Sequence, residues 1–249
     1  MRRGRRVRRA VLNSGPANAG LDWAGQPHPN STRSTYKDWW LPRRPRFGSV
    51  ATSCRETSMP DHEAMVSAVR QLLIAIGEDP ERDGLAGTPE RVARMYAELF
   101  SGIDADPDEV LDTTFDQPFD EMVLVRNIGV QSMCEHHLMP FVGHASVAYI
   151  PGERIVGLSK IARVVRLLSQ RPQVQERLTI QIADSIERVL KPRGVAVRIE
   201  SAHMCMSLRG IKDPGSTMVT TVTRGLFRTN PSTRAEFLAS AAKPGERSV

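Results

Sequence analysis

The sequence has few cysteines and no long apolar run, and each absence excludes a class of protein. Only three of its 249 residues are cysteines, namely Cys54, Cys134 and Cys205. Three is too few, and odd in number, for a secreted domain held together by disulfides, so a reducing cytoplasm fits better. No segment approaches the ~18 consecutive apolar residues of a transmembrane helix. We therefore expect a cytoplasmic protein with no membrane partner.

Acidic residues are scarce in one part of the chain only. Residues 1–60 contain 12 basic and 3 acidic residues, whereas the other 189 residues contain 22 and 25. The net charge of +6 therefore comes from an Arg-rich N-terminal segment. A basic chain often indicates a nucleic-acid partner. Because the body of this chain is mildly acidic, we expect no specific nucleic-acid partner.

The N-terminal extension, residues 1–58, shows no sustained apolar periodicity. It cannot bury enough apolar surface to offset the entropy of ordering, which predicts disorder. Two functional alternatives remain open. The segment could be an organelle transit peptide, or an arm that binds nucleic acid or an anionic membrane through its arginines together with Trp39, Trp40 and Phe47. The folded domain is expected to span residues 59–249.

The folded part begins with two helices between about residues 61 and 102. Apolar residues recur at helical spacing up to Gly77, and the second helix is predicted to begin with Thr88 as its N-cap and Pro89 at its first position. From about residue 120 to 240 the pattern alternates between strands and amphipathic helices. Strands are predicted at 121–130, 144–151, 154–158, 194–202 and 217–225, and helices at 159–170 and 174–190. This order indicates an α+β fold with a mainly antiparallel sheet.

Cys134 and His137 are the first candidate metal ligands. Their C-x-x-H spacing allows a thiolate and an imidazole to reach one ion across a tight turn. The only other cysteine of the body, Cys205, lies far along the chain, with His203 two residues before it. Two thiolates and one imidazole suit Zn²⁺ and leave its fourth position open, which is the catalytic pattern in which a bound water becomes the nucleophile. The alternative is a buried cysteine beside a surface histidine.

His136 and His203 remain as imidazoles without an assigned ligand role. If the strand continued through residue 205, His203 and Cys205 would point to the same side. An imidazole beside the activated water is suited to general acid–base catalysis. The alternative for either histidine is a hydrogen bond that supports the metal site.

Five segments, taken together and in order, resemble GTP cyclohydrolase I over about residues 61–240. The resemblance implies hydrolysis of GTP to formate and 7,8-dihydroneopterin triphosphate, the first step of pterin and tetrahydrofolate synthesis. It also implies the tunnelling fold, in which subunits pool their antiparallel sheets into a barrel with helices on one face, and a homodecamer of two pentamers. The segments are GTPERVARMYAELFSG, SMCEHHLMPFVGHASVAYIP, GLSKIARVVRLLSQRPQVQERLTIQIADSI, AHMCMSLRGI and TRAEFL.

The same resemblance assigns roles to individual residues. Zinc would be held by Cys134, His137 and Cys205, and protons would be moved by His136 and His203. Ser159 is a candidate for both catalysis and substrate binding. The remaining substrate-binding candidates are Lys160, Arg163, Arg209 and Arg91 for the triphosphate, and Glu176 with Gln175 for guanine.

The chemistry of these side chains agrees with the assigned roles. A carboxylate such as that of Glu176 can accept both N–H groups on the Watson–Crick edge of guanine. Ser159, Lys160 and Arg163 begin a predicted helix, where main-chain N–H groups and cations favour a phosphate. Considered singly, each of these residues could instead be an ordinary solvated charge.

Two other functions are alternatives for a sequence with these candidate zinc ligands. A zinc-dependent nucleobase deaminase also activates water for attack on a purine, but its H-x-E and P-C-x-x-C signatures are absent. A non-catalytic zinc module with a nucleic-acid-binding arm predicts a closed four-ligand site and a basic body. The acidic body and the additional histidines disfavour it.

Overall fold

The computed structural model describes residues 60–116 and 118–242. The predicted disordered extension, residues 1–58, lies outside these ranges. In the described part, no helix combines the length and the apolar character needed to cross a bilayer. The structure is α+β, as the sequence predicts. Its elements in chain order are α1 (His62–Ala75), α2 (Thr88–Leu99), a 3₁₀ turn (Glu109–Leu111), β1 (Thr114–Phe115), β2 (Val123–Cys134), β3 (Pro140–Ile150), β4 (Ile155–Val156), α3 (Leu158–Ser169), β5 (Pro172–Gln173), α4 (Gln175–Leu190), β6 (Gly194–His203), α5 (Met204–Ser207), β7 (Met218–Gly225), α6 (Leu226–Thr229) and α7 (Pro231–Ala241).

The first two helices form a pair, and both begin near their predicted positions. The side chain of Asp61 caps α1 by accepting a hydrogen bond from the backbone N–H of Ala64 at 2.9 Å. The N-cap of α2 is Gly87, so the prediction that Thr88 is the cap was wrong by one residue. Thr88 instead lies in the first turn, where its hydroxyl donates to the carbonyl of Gly84.

Five strands form the main sheet in the order β5-β2-β3-β6-β7. All neighbouring pairs are antiparallel except β5, which pairs in parallel with the last two residues of β2. β2 contains a bulge between Val125 and Ile128, where Asn127 adopts a positive φ of 60°. β1 and β4 form a separate two-stranded sheet.

Helices α3 and α4 cover one face of the sheet and enclose the main core. The alternation of β6 explains this arrangement, since Val195, Val197 and Ile199 are fully buried in that core. The intervening Ala196 faces the other side, where it packs with Phe227 of α6 and Phe237 of α7. The core therefore fixes the C-terminal end of β2, which carries Cys134, and the end of β6, which leads into Cys205 of α5.

The ends of two elements differ from the sequence prediction in a way that matters for the site. β2 extends to Cys134 rather than ending at residue 130, because its last residues pair with β3 and β5. β6 ends at His203, and the chain then turns into the short helix α5, which contains Cys205. The premise that His203 and Cys205 lie on one strand was therefore wrong.

Candidate metal centre and substrate site

A tight turn between β2 and β3 presents the first two candidate ligands. The backbone N–H of Leu138 donates to the carbonyl of Cys134 at 2.8 Å, and Leu138 has the left-handed φ of 50° that closes the turn. The thiol of Cys134 is 6% exposed, whereas His137 is exposed. The Cys134 Sγ to His137 Nδ1 distance is 4.0 Å. The turn therefore holds one buried sulfur and one accessible imidazole side by side.

Cys205, in α5 directly after β6, completes this group. The ligand atoms of Cys134, His137 and Cys205 all lie within 4.8 Å of one another. Atoms bound to one tetrahedral Zn²⁺ at about 2.0–2.3 Å are separated by about 3.4–3.8 Å. The three side chains thus need to move by only about 1 Å or less to share an ion, and they fit zinc.

The electrostatics of the two thiols also favour a cation. Burial raises the pKa of Cys205, and the neighbouring Cys134 sulfur raises it further. The positive charge of Arg209 acts in the opposite direction. Two adjacent thiolates repel each other without a metal, and a bound divalent cation reverses that repulsion.

His203, at the end of β6, is half-buried beside this centre. Its ring stacks on that of Phe141 at a centroid distance of 4.7 Å and an interplanar angle of 8°. Burial lowers the pKa of His203, an effect that the charge of Glu176 partly opposes. The imidazole is consequently neutral near pH 7 and able to accept a proton.

His136 has a different environment, although it is adjacent to a ligand in sequence. Its side chain is 65% exposed, and its Nε2 lies 3.8 Å from the carboxylate of Glu135. Glu135 is in turn held by Arg177 of α4. The structure therefore places His136 on the open side of the turn.

Glu176 and Gln175, neighbours at the start of α4, differ in solvent exposure and in hydrogen bonding. Glu176 is exposed, and no described residue forms a hydrogen bond with its carboxylate. Gln175 is 1% exposed, and its amide bonds within the chain, including a 2.8 Å contact between its Oε1 and His203 Nε2. Glu176 is thus available to a ligand, whereas Gln175 is enclosed.

The candidates for triphosphate binding at the start of α3 are not brought to the metal centre of the same chain. Leu158, the first residue of α3, lines an apolar cavity of about 370 Å³ together with Val123, the first residue of β2. Cys134 is the last residue of that 12-residue strand, which at ~3.3 Å per residue spans about 35 Å. Ser159 and Lys160 therefore lie near the opposite end of β2 from Cys134.

The three candidate arginines are exposed, whereas the side chain of Lys160 is only 20% exposed and has an acidic partner. Lys160 Nζ lies 2.8 Å from Asp112 Oδ1, and Arg163 is exposed one helical turn further on. Arg209 follows α5 close to Cys205, which explains its effect on that thiol. Arg91 of α2 donates to the carbonyl of Gly84 at 3.2 Å.

The contacts that support the site were not predicted from the sequence. Phe141, Ser201 and the Arg177–Glu135 pair were not recognised as parts of it. Phe141 and His203 are opposite each other in the register of β3 and β6, which no local pattern reveals. A pairing of β3 with β6 predicted from the sequence could have indicated Phe141.

Comparisons with known proteins point to one family. The sequence model of the family described as GTP cyclohydrolase I matches residues 65–242. A GTP cyclohydrolase 1 of Mycobacterium tuberculosis is 58% identical over 180 residues, which are 72% of this chain and 89% of the relative. The corresponding enzyme of Carboxydothermus hydrogenoformans is 57% identical over 182 residues, 73% of this chain and 95% of the relative.

Two solved structures show only weak similarity. An archaeosine synthase QueF-Like in the apo form gives a TM-score of 0.35 at 16% identity, covering 44% of this chain and 96% of the other. A dihydroneopterin aldolase from Burkholderia thailendensis bound to guanine gives 0.29 at 18% identity, covering 42% and 89%. Both scores are too low to establish a shared fold.

Proposed function

The chain belongs to the GTP cyclohydrolase I family, and we propose that it hydrolyses GTP to 7,8-dihydroneopterin triphosphate and formate with zinc held by Cys134, His137 and Cys205. The observation that carries the proposal is the convergence of these three ligand atoms within 4.8 Å, from segments far apart in sequence. The net reaction opens the imidazole ring of guanine and releases its C8 as formate.

The donor set determines what the metal contributes. Two sulfurs and one imidazole nitrogen would leave one tetrahedral position free for water, and the exposed His137 shows that the centre is accessible from solvent. When bound, zinc supplies the Lewis acidity that activates water for attack at C8.

Two histidines next to the metal ligands in sequence, His136 and His203, provide the proton transfers. Burial lowers the pKa of His203, which favours the neutral imidazole that can accept a proton from the attacking water or from the substrate. His136 is accessible, with its side chain 65% exposed and its Nε2 3.8 Å from the carboxylate of Glu135. The two groups can thus act at different stages of the opening of the ring.

Glu176 anchors the base. Its exposed carboxylate, in the first turn of α4, can accept hydrogen bonds from both N–H groups on one edge of guanine. Such pairing orients C8 relative to the metal centre and favours guanine over adenine, which lacks this pair of donors.

The separation of the two groups of candidates along β2 supports a homo-oligomer. One chain holds the metal ligands and Glu176 near one end of its sheet, and holds Ser159 and Lys160 near the other. A second copy could bring its own α3 to the metal centre of the first. We therefore propose that each site is shared between copies, in the tunnelling-fold decamer of two pentamers that the resemblance implies, with Ser159, Lys160, Arg163, Arg209 and Arg91 as triphosphate and catalytic contacts.

The cytoplasm is the proposed location, because Cys134 and Cys205 must remain reduced to bind a metal.

Replacement of Cys205 by serine tests the metal proposal. Cys205→Ser removes one of the two thiolates, so we expect loss of most bound zinc and of nearly all GTP turnover. Metal content by mass spectrometry and pterin formation are measured on the same preparation. Cys54→Ser is the matched control and should keep both. Full zinc and full turnover in Cys205→Ser would contradict the ligand assignment.

A further inference from the structure

The amide of Gln175 has an orientation that the surrounding backbone determines. Its Nε2 lies 3.1 Å from the carbonyl oxygen of Ile199 and 3.0 Å from that of Met218. Main-chain carbonyl oxygens only accept hydrogen bonds, so the nitrogen must be the amide atom on this side. The amide oxygen must therefore point the other way, toward Ser201 and His203.

The groups that approach this oxygen must both be donors. The hydroxyl of Ser201 donates to Gln175 Oε1 at 2.5 Å, and Nε2 of His203 lies 2.8 Å from the same atom. An amide oxygen cannot donate, so the hydrogen in this second bond belongs to His203 Nε2. The stacked ring of Phe141 restrains the remaining rotation of the imidazole.

We propose that Gln175 is a positioning residue for His203. Its amide oxygen fixes the ring and keeps a hydrogen on Nε2, which leaves Nδ1 as the nitrogen that exchanges a proton with the substrate. This inference rests on the proposed acid–base role of His203. It replaces the sequence-based expectation that Gln175 binds GTP.

Gln175 is not expected to bind GTP, because every hydrogen-bonding position of its amide is already occupied within the chain. The two lone pairs of the oxygen are occupied by Ser201 and His203, and the two N–H groups have Ile199, Met218 and the hydroxyl of Thr220 as acceptors. With the residue 1% exposed, a ligand could contact the amide only by breaking these bonds. Gln175 therefore acts through His203.

The principal variant is Gln175→Met, which keeps the length of the side chain and removes both donor and acceptor. We expect kcat for GTP to fall about 10- to 100-fold while KM changes little. Nitrogen-15 NMR of histidine-labelled protein should show His203 with its hydrogen on Nε2 in the unmodified chain, and a mixture of tautomers in the variant. This spectroscopic result does not require GTP turnover, so it remains informative if the proposed function fails.

Gln173→Met is the matched structural control. Gln173 is also fully buried, two residues away, but its amide nitrogen donates to the carbonyl of Leu168 and its side chain forms no hydrogen bond with His203. The His203 signals should keep the Nε2–H pattern in this control. If both methionine variants changed the pattern equally, general loosening would explain the effect and the proposal would be overturned.

Two further measurements keep the proposal testable if Gln175→Met folds poorly. Gln175→Asn keeps an amide but withdraws its oxygen by about 1.5 Å, and should cause the same loss of the single tautomer. In a His203→Ala background, the Asn or Met change should cause little additional loss of kcat. Multiplicative losses, or a defect confined to KM, would indicate direct contact between Gln175 and GTP and would overturn the proposal.

Discussion

The carboxylate of Glu176 differs from the other acidic groups of α4 because no described residue forms a hydrogen bond or an ion pair with it. Glu187, on the same helix, accepts a hydrogen bond from Arg224 at 2.5 Å. In Glu176→Gln one acceptor oxygen becomes a donor that faces a donor of guanine. Loss of one charged hydrogen bond, together with loss of the charge from the other, corresponds to a decrease in kcat/KM of about 100- to 10,000-fold.

Steady-state kinetics with GTP, together with metal content, check this prediction. Zinc binding should be unchanged, because Glu176 is not a metal ligand. Glu187→Gln serves as the matched control and should show near-normal kinetics. Near-normal kinetics in Glu176→Gln would instead exclude Glu176 as the anchor of the base.

The individual residues of the site differ in how far the sequence predicts them. Cys134 and His137 can be predicted because four residues of local spacing determine that they meet at one turn. Cys205 could be associated with them only because no other cysteine lies in the body of the chain. The burial of Gln175 could not be predicted, because it depends on β6 and β7 passing beside the start of α4.

At the scale of elements, β3 and β6 lie too close together at Gly143 to admit a side chain there. A Cβ added to Gly143 would lie 1.9 Å from the carbonyl oxygen of Glu200 and 2.5 Å from the Cα of Ser201. Both are main-chain atoms of β6, so the strands would have to separate. Gly143→Ala should lower the free energy of unfolding by about 1–3 kcal/mol and should reduce turnover, because His203 follows on the displaced strand.

Denaturant unfolding at a fixed protein concentration measures this effect. Gly129→Ala on β2 is the control, since its added Cβ would meet only the side chain of Gln131 at 3.9 Å. The control should change stability by no more than about 0.5 kcal/mol. Equal stability of the two variants would contradict the close approach of β3 and β6.

The two helices with sustained amphipathic periodicity are predictable from the sequence, whereas most of the two-residue strands are not. α3 and α4 lie within one residue of their predicted limits, because amphipathic periodicity persists for three to four turns. β1 and β5 have two residues each, which is too short for any periodic signal, whereas the two-residue strand β4 lies within the strand predicted at 154–158. No helix was predicted at α5, because its four residues are too few for a periodic signal. Its contacts with β3 and β6 arise only in the folded chain.

At the scale of the whole molecule, the proposed sharing of sites between copies predicts complementation. Lys160→Ala and Cys205→Ser change side chains that lie near opposite ends of β2. Each variant alone should have little activity. When the two are co-assembled, random assortment leaves about one site in four with both contributions intact. Turnover should therefore recover to about a quarter of that of the unmodified protein.

The control is co-assembly of Cys134→Ser with Cys205→Ser. Both changes lie in the same metal centre, so no arrangement of copies produces an intact site and no recovery is expected. Native mass spectrometry establishes that mixed oligomers have formed in each case. Mixed oligomers of Lys160→Ala and Cys205→Ser that remained inactive would show that α3 does not complete the site of another copy.

The most direct test of the function is to follow the fate of C8 when the purified protein is incubated with GTP and zinc. We predict that formate and 7,8-dihydroneopterin triphosphate, detected as a fluorescent pterin after oxidation, appear in equal amounts and match the GTP consumed. Ammonia release with retention of C8 would indicate a deaminase instead. Unchanged GTP in the presence of a fully zinc-loaded protein would contradict the proposed activity.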